Sequence, residues 1–294
     1  MRTLPFAAVL SAVVLIGAAP PVAPPSPGEI VAKAPAAAWR VIPPEDLLIL
    51  TLANGARVAI ELAPDFAPVH VANIRALARA GWFDGANVVR VQDNYVVQWG
   101  GADEAKPLPP GIVTHPPAEY ERSAKGLAIT PLGSPDAYAP QAGFAEGWPV
   151  ASDGRSAWLA HCYAMVGVGR DMPPDTGSGA ELYTVIGQAP RHLDRNIALV
   201  GRIVDGIEAL SALPRGTGDL GFYEKPAEHV PIRNVRVAAD LPAANRPRYE
   251  VMRTDGPSFA AYLKARANRR DPFFVRPAGG VALCNVPVPT RRAP

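Results

Sequence analysis

A chain of 294 residues has room for one large domain or two small ones. Its formal charge is only +2, and its Lys and Arg are scattered rather than gathered into stripes, so nothing in the composition argues for nucleic-acid binding. Lysine is rare beside arginine, a bias that fits a GC-rich bacterial genome. The N-terminus carries Arg2, an apolar run from Leu4 to Ile16, and then Gly17-Ala18-Ala19. That order reads as a secretory signal over residues 1–19. The run is shorter than the roughly 20 residues a membrane span needs. Export to a bacterial periplasm is therefore expected, with membrane contact only through an uncleaved N-terminal segment. Residues 20–45 hold Pro20, Pro21, Pro24, Pro25, Pro27, Pro35, Pro43 and Pro44 among alanines, which reads as an extended, semi-rigid linker.

From Leu47 to Leu52 runs L-L-I-L-T-L, then Asn54-Gly55, then the alternating R-V-A-I-E-L of Arg57 to Leu62. Two strands around an Asn-Gly turn predict a hairpin. Pro68 suits the first turn of a helix, Val71, Ile74, Leu77 and Ala78 recur at helical spacing, and Gly81 ends it. The stretch Gly81–Asp103 predicts two short paired strands: Val88, Val89 and Val91 surround Arg90, a polar Asp93-Asn94 turn follows, then Tyr95–Val97 and Gln98. An Arg, an aromatic and a Gln brought together on a sheet would make an apolar platform with a fixed donor fork. That combination suits a carbonyl beside an apolar ring.

Residues 131–157 are rich in Pro, Gly, Asp and Ser and read as a long loop, functional or disordered. Its aromatics Tyr138, Phe144 and Trp148 either extend a substrate groove or pin the loop down. Trp158–Val168 reads as one strand, on which His161 and Cys162 face opposite sides and would not share a metal. His70, His115, His192 and His229 show no ligand spacing, and neither metal nor cofactor is expected. Gly167-Val168-Gly169 lacks the third glycine of a dinucleotide fingerprint. Asp175-Thr176-Gly177-Ser178 matches an aspartic-protease tetrapeptide but has neither an apolar strand before it nor a second copy. Ile232–Val237 alternates as a closing strand. Ser258 would cap a helix to about Arg269, with Phe259, Tyr262, Leu263 and Arg266 on one face. In an exported protein the two cysteines, Cys162 and Cys284, suggest one disulfide rather than two buried thiols. It would hold a C-terminal extension, 241–294, that is too small for a core of its own.

The order F-D-G-x-x-x-x-R-V-x-x-x-Y-V-V-Q-x-G-G, from Phe83, resembles the central signature of the cyclophilin-type peptidyl-prolyl isomerases. Val88-Val89 stand where that family has Phe-His, Tyr95 replaces its pocket Phe, and Trp99 interrupts its Gln-Gly-Gly run. The helix A-P-x-x-V-A-N-I-R-A-L resembles the family's first helix and gives Asn73 a structural role. Gly179–Gly201 resembles the second signature, with Glu181 for Gln, Tyr183 for the pocket Phe, His192 at a variable aromatic position, and Ile197 where many members have a pocket His. The resemblance implies a mainly β fold: a closed eight-stranded barrel capped by helices over residues 46–240, with the 131–157 insertion and the docked extension. It implies Arg90 and Gln98 as catalytic residues, and Tyr95, Val96, Gly169, Arg170, Glu181, Tyr183, His192 and Ile197 as substrate-binding. The expected partners are proline-containing segments of exported proteins. The alternative is a weak or inactive module that only binds such segments or a partner protein.

Overall fold

The structure, a computed structural model, describes residues 23–100 and 106–293. The expected signal segment and residues 20–22 of the expected linker lie outside them. In chain order the elements are α1 (Pro27–Ala32), β1 (Trp39–Val41), β2 (Leu47–Leu52), β3 (Arg57–Leu62), α2 (Pro68–Arg79), β4 (Asn87–Val91) and β5 (Val96–Gly100). There follow β6 (Arg122–Ser123), β7 (Thr130–Pro131), β8 (Gln141–Ala145), β9 (Trp148–Ser152), β10 (Ser156–Leu159), β11 (Met165–Val168), β12 (Glu181–Val185) and β13 (Leu199–Asp205). The chain closes with α3 (Glu208–Ser211), β14 (Val230–Val237), β15 (Tyr249–Met252), α4 (Pro257–Ala267) and β16 (Thr290–Arg292).

Eight strands close into an antiparallel barrel in the order β11-β12-β5-β4-β14-β2-β3-β13, the cyclophilin fold that the two signatures imply. The apolar run of β2 is not an alternating strand because both of its faces are buried. Leu48, Leu50 and Leu52 enter the barrel core, while Leu47 and Ile49 pack outward against Ala238, Tyr249 and Val251. Helix α2 covers the barrel with Val71, Ile74, Leu77 and Ala78. Its N-terminal residue before Pro68 is Ala67, which has no side chain to cap it. Glu119 does so from a distant loop, accepting from the backbone amides of Val69 (2.9 Å) and His70 (3.0 Å). Burial would raise the Glu119 pKa, but hydrogen bonds from His70 and Val69 outweigh it and hold the carboxylate low. Asn73 bridges the carbonyls of Val113 and Ser178, both at 2.8 Å.

Four sequence expectations are corrected. The expected 20–45 linker is largely folded: Ser26 and Glu29 form a capping box for α1, which packs on α4, and β1 pairs with β15. Its Pro/Ala composition hides Ile30, Val31 and Trp39, which are enough to anchor a short segment on an existing surface. The 131–157 insertion is no structureless loop. It supplies β8 and β9 to a five-stranded sheet, turning at Glu146 and Gly147, both at positive φ (54° and 88°). Phe144 and Trp148 are core residues, whereas Tyr138 lies exposed under Arg191. The predicted 158–168 strand is two strands, β10 and β11, separated by a turn that contains His161 and Cys162. Ser258 lies inside the first turn of α4, whose cap is Gly256 with Pro257 at its first position.

Insertion, N-terminal segment and extension share a second core, with Phe144, Trp148, Phe259, Tyr262 and Met252 among its members. The Cys162–Cys284 disulfide staples it across a sequence separation of 122 residues. In the chain-entropy account a loop of that length contributes about 3–5 kcal/mol. Cys284→Ser paired with Cys162→Ser is expected to lower the urea-derived stability by that order. An unchanged midpoint would show that the second core needs no staple.

Candidate active site

The register of β4 on β5 sets Arg90 opposite Gln98, with a bulge between Val88 and Arg90. Arg90 Nη1 donates to Gln98 Oε1 at 3.0 Å, and Nη2 donates to Gln92 Oε1. Its Nε donates to the Leu220 carbonyl at 2.7 Å. The guanidinium thus has its plane fixed from three sides. It lies 5.8 Å from the Tyr95 ring centroid and 5.2 Å from that of Phe222. Burial pulls the Arg90 pKa down, against support from Tyr95 and Glu181, but a guanidinium stays charged throughout the physiological range. Glu181, on β12, accepts from Gln98 Nε2 and so orients the amide that orients Arg90.

Beside Arg90 opens a pocket of about 130 Å³ lined by Tyr95, Val96, Gln98, Val168, Gly169, Arg170, Tyr183, Leu193 and Ile197. Of the ten site residues expected from sequence, eight line this pocket. The other two stand next to it: Glu181 behind Gln98, and His192 exposed on the rim, its ring parallel to Tyr95 with centroids 6.3 Å apart. Arg170 is fixed by the Asn196 carbonyl, which accepts from its Nε and Nη2. Between the Arg90 and Arg170 guanidinium groups the cavity is lined by Tyr95, Val96, Val168, Tyr183, Leu193 and Ile197, and it is close in size to a small ring.

Tyr183 supplies the floor, and its hydroxyl is not free. It lies 2.9 Å from His161 Nε2, while His161 Nδ1 is 3.0 Å from Asp194 Oδ1. With Nδ1–H donating to the carboxylate, Nε2 is left to accept the Tyr183 proton. Asp194 in turn accepts from Arg191, whose fork also grips Asp136 of the insertion at 3.0 and 3.2 Å. The hydroxyl that Tyr adds over Phe therefore has a built partner. Space for the ring comes from Gly167 on the next strand, where a Cβ would lie 2.4 Å from the Tyr183 ring.

Burial lowers the His161 pKa, and Asp194 only partly offsets this. The folded state therefore favours the neutral imidazole, while an unfolded His takes a proton near pH 6.5. A depressed pKa gives stability that is complete above the unfolded value and is lost as pH falls below it. Urea midpoints measured from pH 8 to pH 5 are expected to drop on the acid side in the wild type and less in His161→Gln. Parallel curves would contradict the assignment.

Sequence reasoning missed Gln92, Leu193, Leu220, Phe222, His161 and Asp194. Leu220 and Phe222 lie in a Gly-rich run in which no spacing marks them. They reach Arg90 because Gly221, at φ 81°, lets the backbone lie on Gln92, where a Cβ would meet Gln92 Cα at 2.6 Å. The protease-like tetrapeptide is a local turn in which the Asp175 carboxylate accepts from the backbone amides of Asp171 and Gly177.

Comparison with known proteins points the same way. The family described as cyclophilin type peptidyl-prolyl cis-trans isomerase/CLD matches residues 47–237. A probable peptidyl-prolyl cis-trans isomerase of Brucella suis is 25% identical over 174 residues, 59% of this chain and 74% of that protein. Its counterpart in Brucella abortus is 24% identical over the same shares. The crystal structure of cyclophilin AquaCyp293 from Hirschia baltica is similar over 86% of this chain and 93% of its own, with 28% identity and a TM-score of 0.67. That likeness extends well past the family segment. With barrel, signatures and family match in agreement, the chain belongs to the cyclophilin-type peptidyl-prolyl cis-trans isomerases.

Proposed function

We propose that this chain speeds the cis/trans isomerisation of X-Pro bonds in exported proteins as they fold. An X-Pro amide turns slowly because its resonance must be broken, at a barrier of about 20 kcal/mol. No covalent bond is made or cleaved, so the catalyst need only bind the twisted amide better than either planar form. As conjugation is lost the proline nitrogen regains a lone pair. Arg90 donates to it and so favours the twisted state. Tyr95, Val96, Tyr183 and Ile197 hold the pyrrolidine ring. Gln98, steadied by Glu181, keeps Arg90 aimed, and Gly169, Arg170 and His192 meet the flanking peptide.

The observation that carries this reading is the placement of Arg90: a guanidinium fixed by Leu220, Gln98 and Gln92 at the mouth of a ring-sized apolar pocket. The test is a refolding reporter with a proline-limited slow phase, run in the presence of this protein. The slow phase should quicken in proportion to protein concentration. N-terminal sequencing of protein from a cell fractionation tests the export part. Recovery only in the cytoplasm with Met1 in place would overturn it.

A second reading has one observation in its favour. Three of the five Arg90 donors already serve protein acceptors, so a tightly held fork could recognise proline segments without following the amide as it twists. Saturable binding of a proline peptide with no change in its isomerisation rate would establish that module.

A further inference from the structure

A second, larger cavity of about 720 Å³ lies on the outer face of the barrel. Strands β2, β3 and β14 form one wall, and the chain from Leu241 to Tyr249, with Arg292 and Ala293, forms the other. It shares no lining residue with the Arg90 pocket, and its second wall lies beyond the segment matched to the family. Its size falls within the usual range for small-molecule sites, about 300–1,000 Å³.

The chemistry of the lining is lopsided. Ile49, Ala59, Leu241 and Tyr249 belong to one apolar cluster at its base. Five arginines surround it, and among the described residues no carboxylate lines it. Two of the five are compensated: Arg236 forks onto Asp84 with both contacts at 2.7 Å, and Arg292 reaches Asp205 at 2.7 Å. Asp205 also takes the Tyr249 hydroxyl at 2.7 Å, which fixes that wall. Arg57, Arg233 and Arg248 have no carboxylate within ion-pair distance among the described residues. Arg233 Nη2 donates to the Ala53 carbonyl at 2.8 Å.

Scattered surface arginines are ordinary. Three uncompensated ones facing one apolar-floored cavity repel each other, and an anion between them relieves that repulsion. Guanidinium forks pair bidentately with phosphate oxygens. We propose that this cavity binds a small phosphate monoester, with the dianionic phosphate between Arg57, Arg233 and Arg248 and an apolar or ring-shaped body on the Ile49–Tyr249 floor.

Calorimetric titration of the full chain with phenyl phosphate, inorganic phosphate, phthalate and phenol tests this at low ionic strength, where exposed charges are least screened. Phenyl phosphate should bind one to one, at least about tenfold more tightly than inorganic phosphate, with no measurable binding of phenol. Arg57→Gln combined with Arg248→Gln should weaken it by about tenfold or more, since charge-assisted bonds are lost. Both residues are exposed and carry no ion pair among the described residues, so the variant should keep its urea midpoint and its isomerisation rate. Equal affinity in the double variant, or phenyl phosphate no tighter than inorganic phosphate, would overturn the site. Phthalate binding as tightly as phenyl phosphate would overturn the assignment to phosphate.

Discussion

Arg90→Ala is expected to lower kcat/KM for X-Pro isomerisation by about 10²–10³-fold, the usual cost of removing one preorganised donor aimed at a transition state. The urea midpoint should barely move, because the side chain lies at a pocket mouth and its loss frees the Leu220 carbonyl, Gln98 and Gln92 to water. Arg90→Lys is the sharper variant. It keeps the charge, but a single ammonium cannot hold three acceptors in one plane and still face a substrate nitrogen. Most of the loss should therefore remain. Full activity in the lysine variant would mean that charge alone matters, and that the fixing of the fork is incidental.

Glu61→Ala is expected to cost about 3–5 kcal/mol of folding stability, read from urea denaturation, because it strands a charge in the interior. Glu61 lies on β3 and accepts from Arg202 of β13 at 2.7 and 2.9 Å and from Arg40 of β1 at 2.6 Å. Arg202 is only 6% exposed. Burial pulls its pKa down and Glu61 offsets part of that cost; the guanidinium stays charged either way, so removing Glu61 leaves it buried without that partner. The same two arginines carry the β8–β9 turn, with Arg202 donating to the Gly147 carbonyl at 2.6 Å and Arg40 to that of Glu146 at 3.1 Å. The loss should thus appear first as faster amide exchange in β8 and β9. Replacing both partners, Glu61→Met with Arg202→Met, should recover a large part of the stability, since a buried pair can be exchanged for apolar groups at little cost. A Glu61→Ala midpoint within 0.5 kcal/mol of wild type, an order typical of surface sites, would show that the barrel and insertion do not depend on this link.

What the sequence made legible follows from local physics. The Asn54-Gly55 turn, the helix after Pro68 and the paired strands about Asp93-Asn94 rest on turn chemistry and periodicity within a few residues, and all three stand as read. Eight of the ten expected site residues line one pocket: six because the two signatures fall on neighbouring strands, β5 and β12, and Gly169 and Arg170 because they follow β11, which pairs with β12. The remainder depended on long-range partners. Helix α1 and strand β1 have a composition that folds only against α4 and β15. The insertion reads as loop because β8 and β9 carry Gly, Ala and Pro, and their order comes from Phe144 and Trp148 entering a core made by residues a hundred positions away. Nothing near Tyr183 in sequence announces His161, which is joined to it by barrel closure.

The cis/trans exchange rate of a short Ala-Pro peptide, followed by NMR exchange spectroscopy with catalytic amounts of this protein, tests the central claim most directly. The account predicts exchange cross-peaks that grow in proportion to wild-type protein and vanish with Arg90→Ala at unchanged circular dichroism. A folded wild type that leaves exchange at the uncatalysed rate across several X-Pro peptides would contradict it and leave the binding module as the function of the Arg90 pocket.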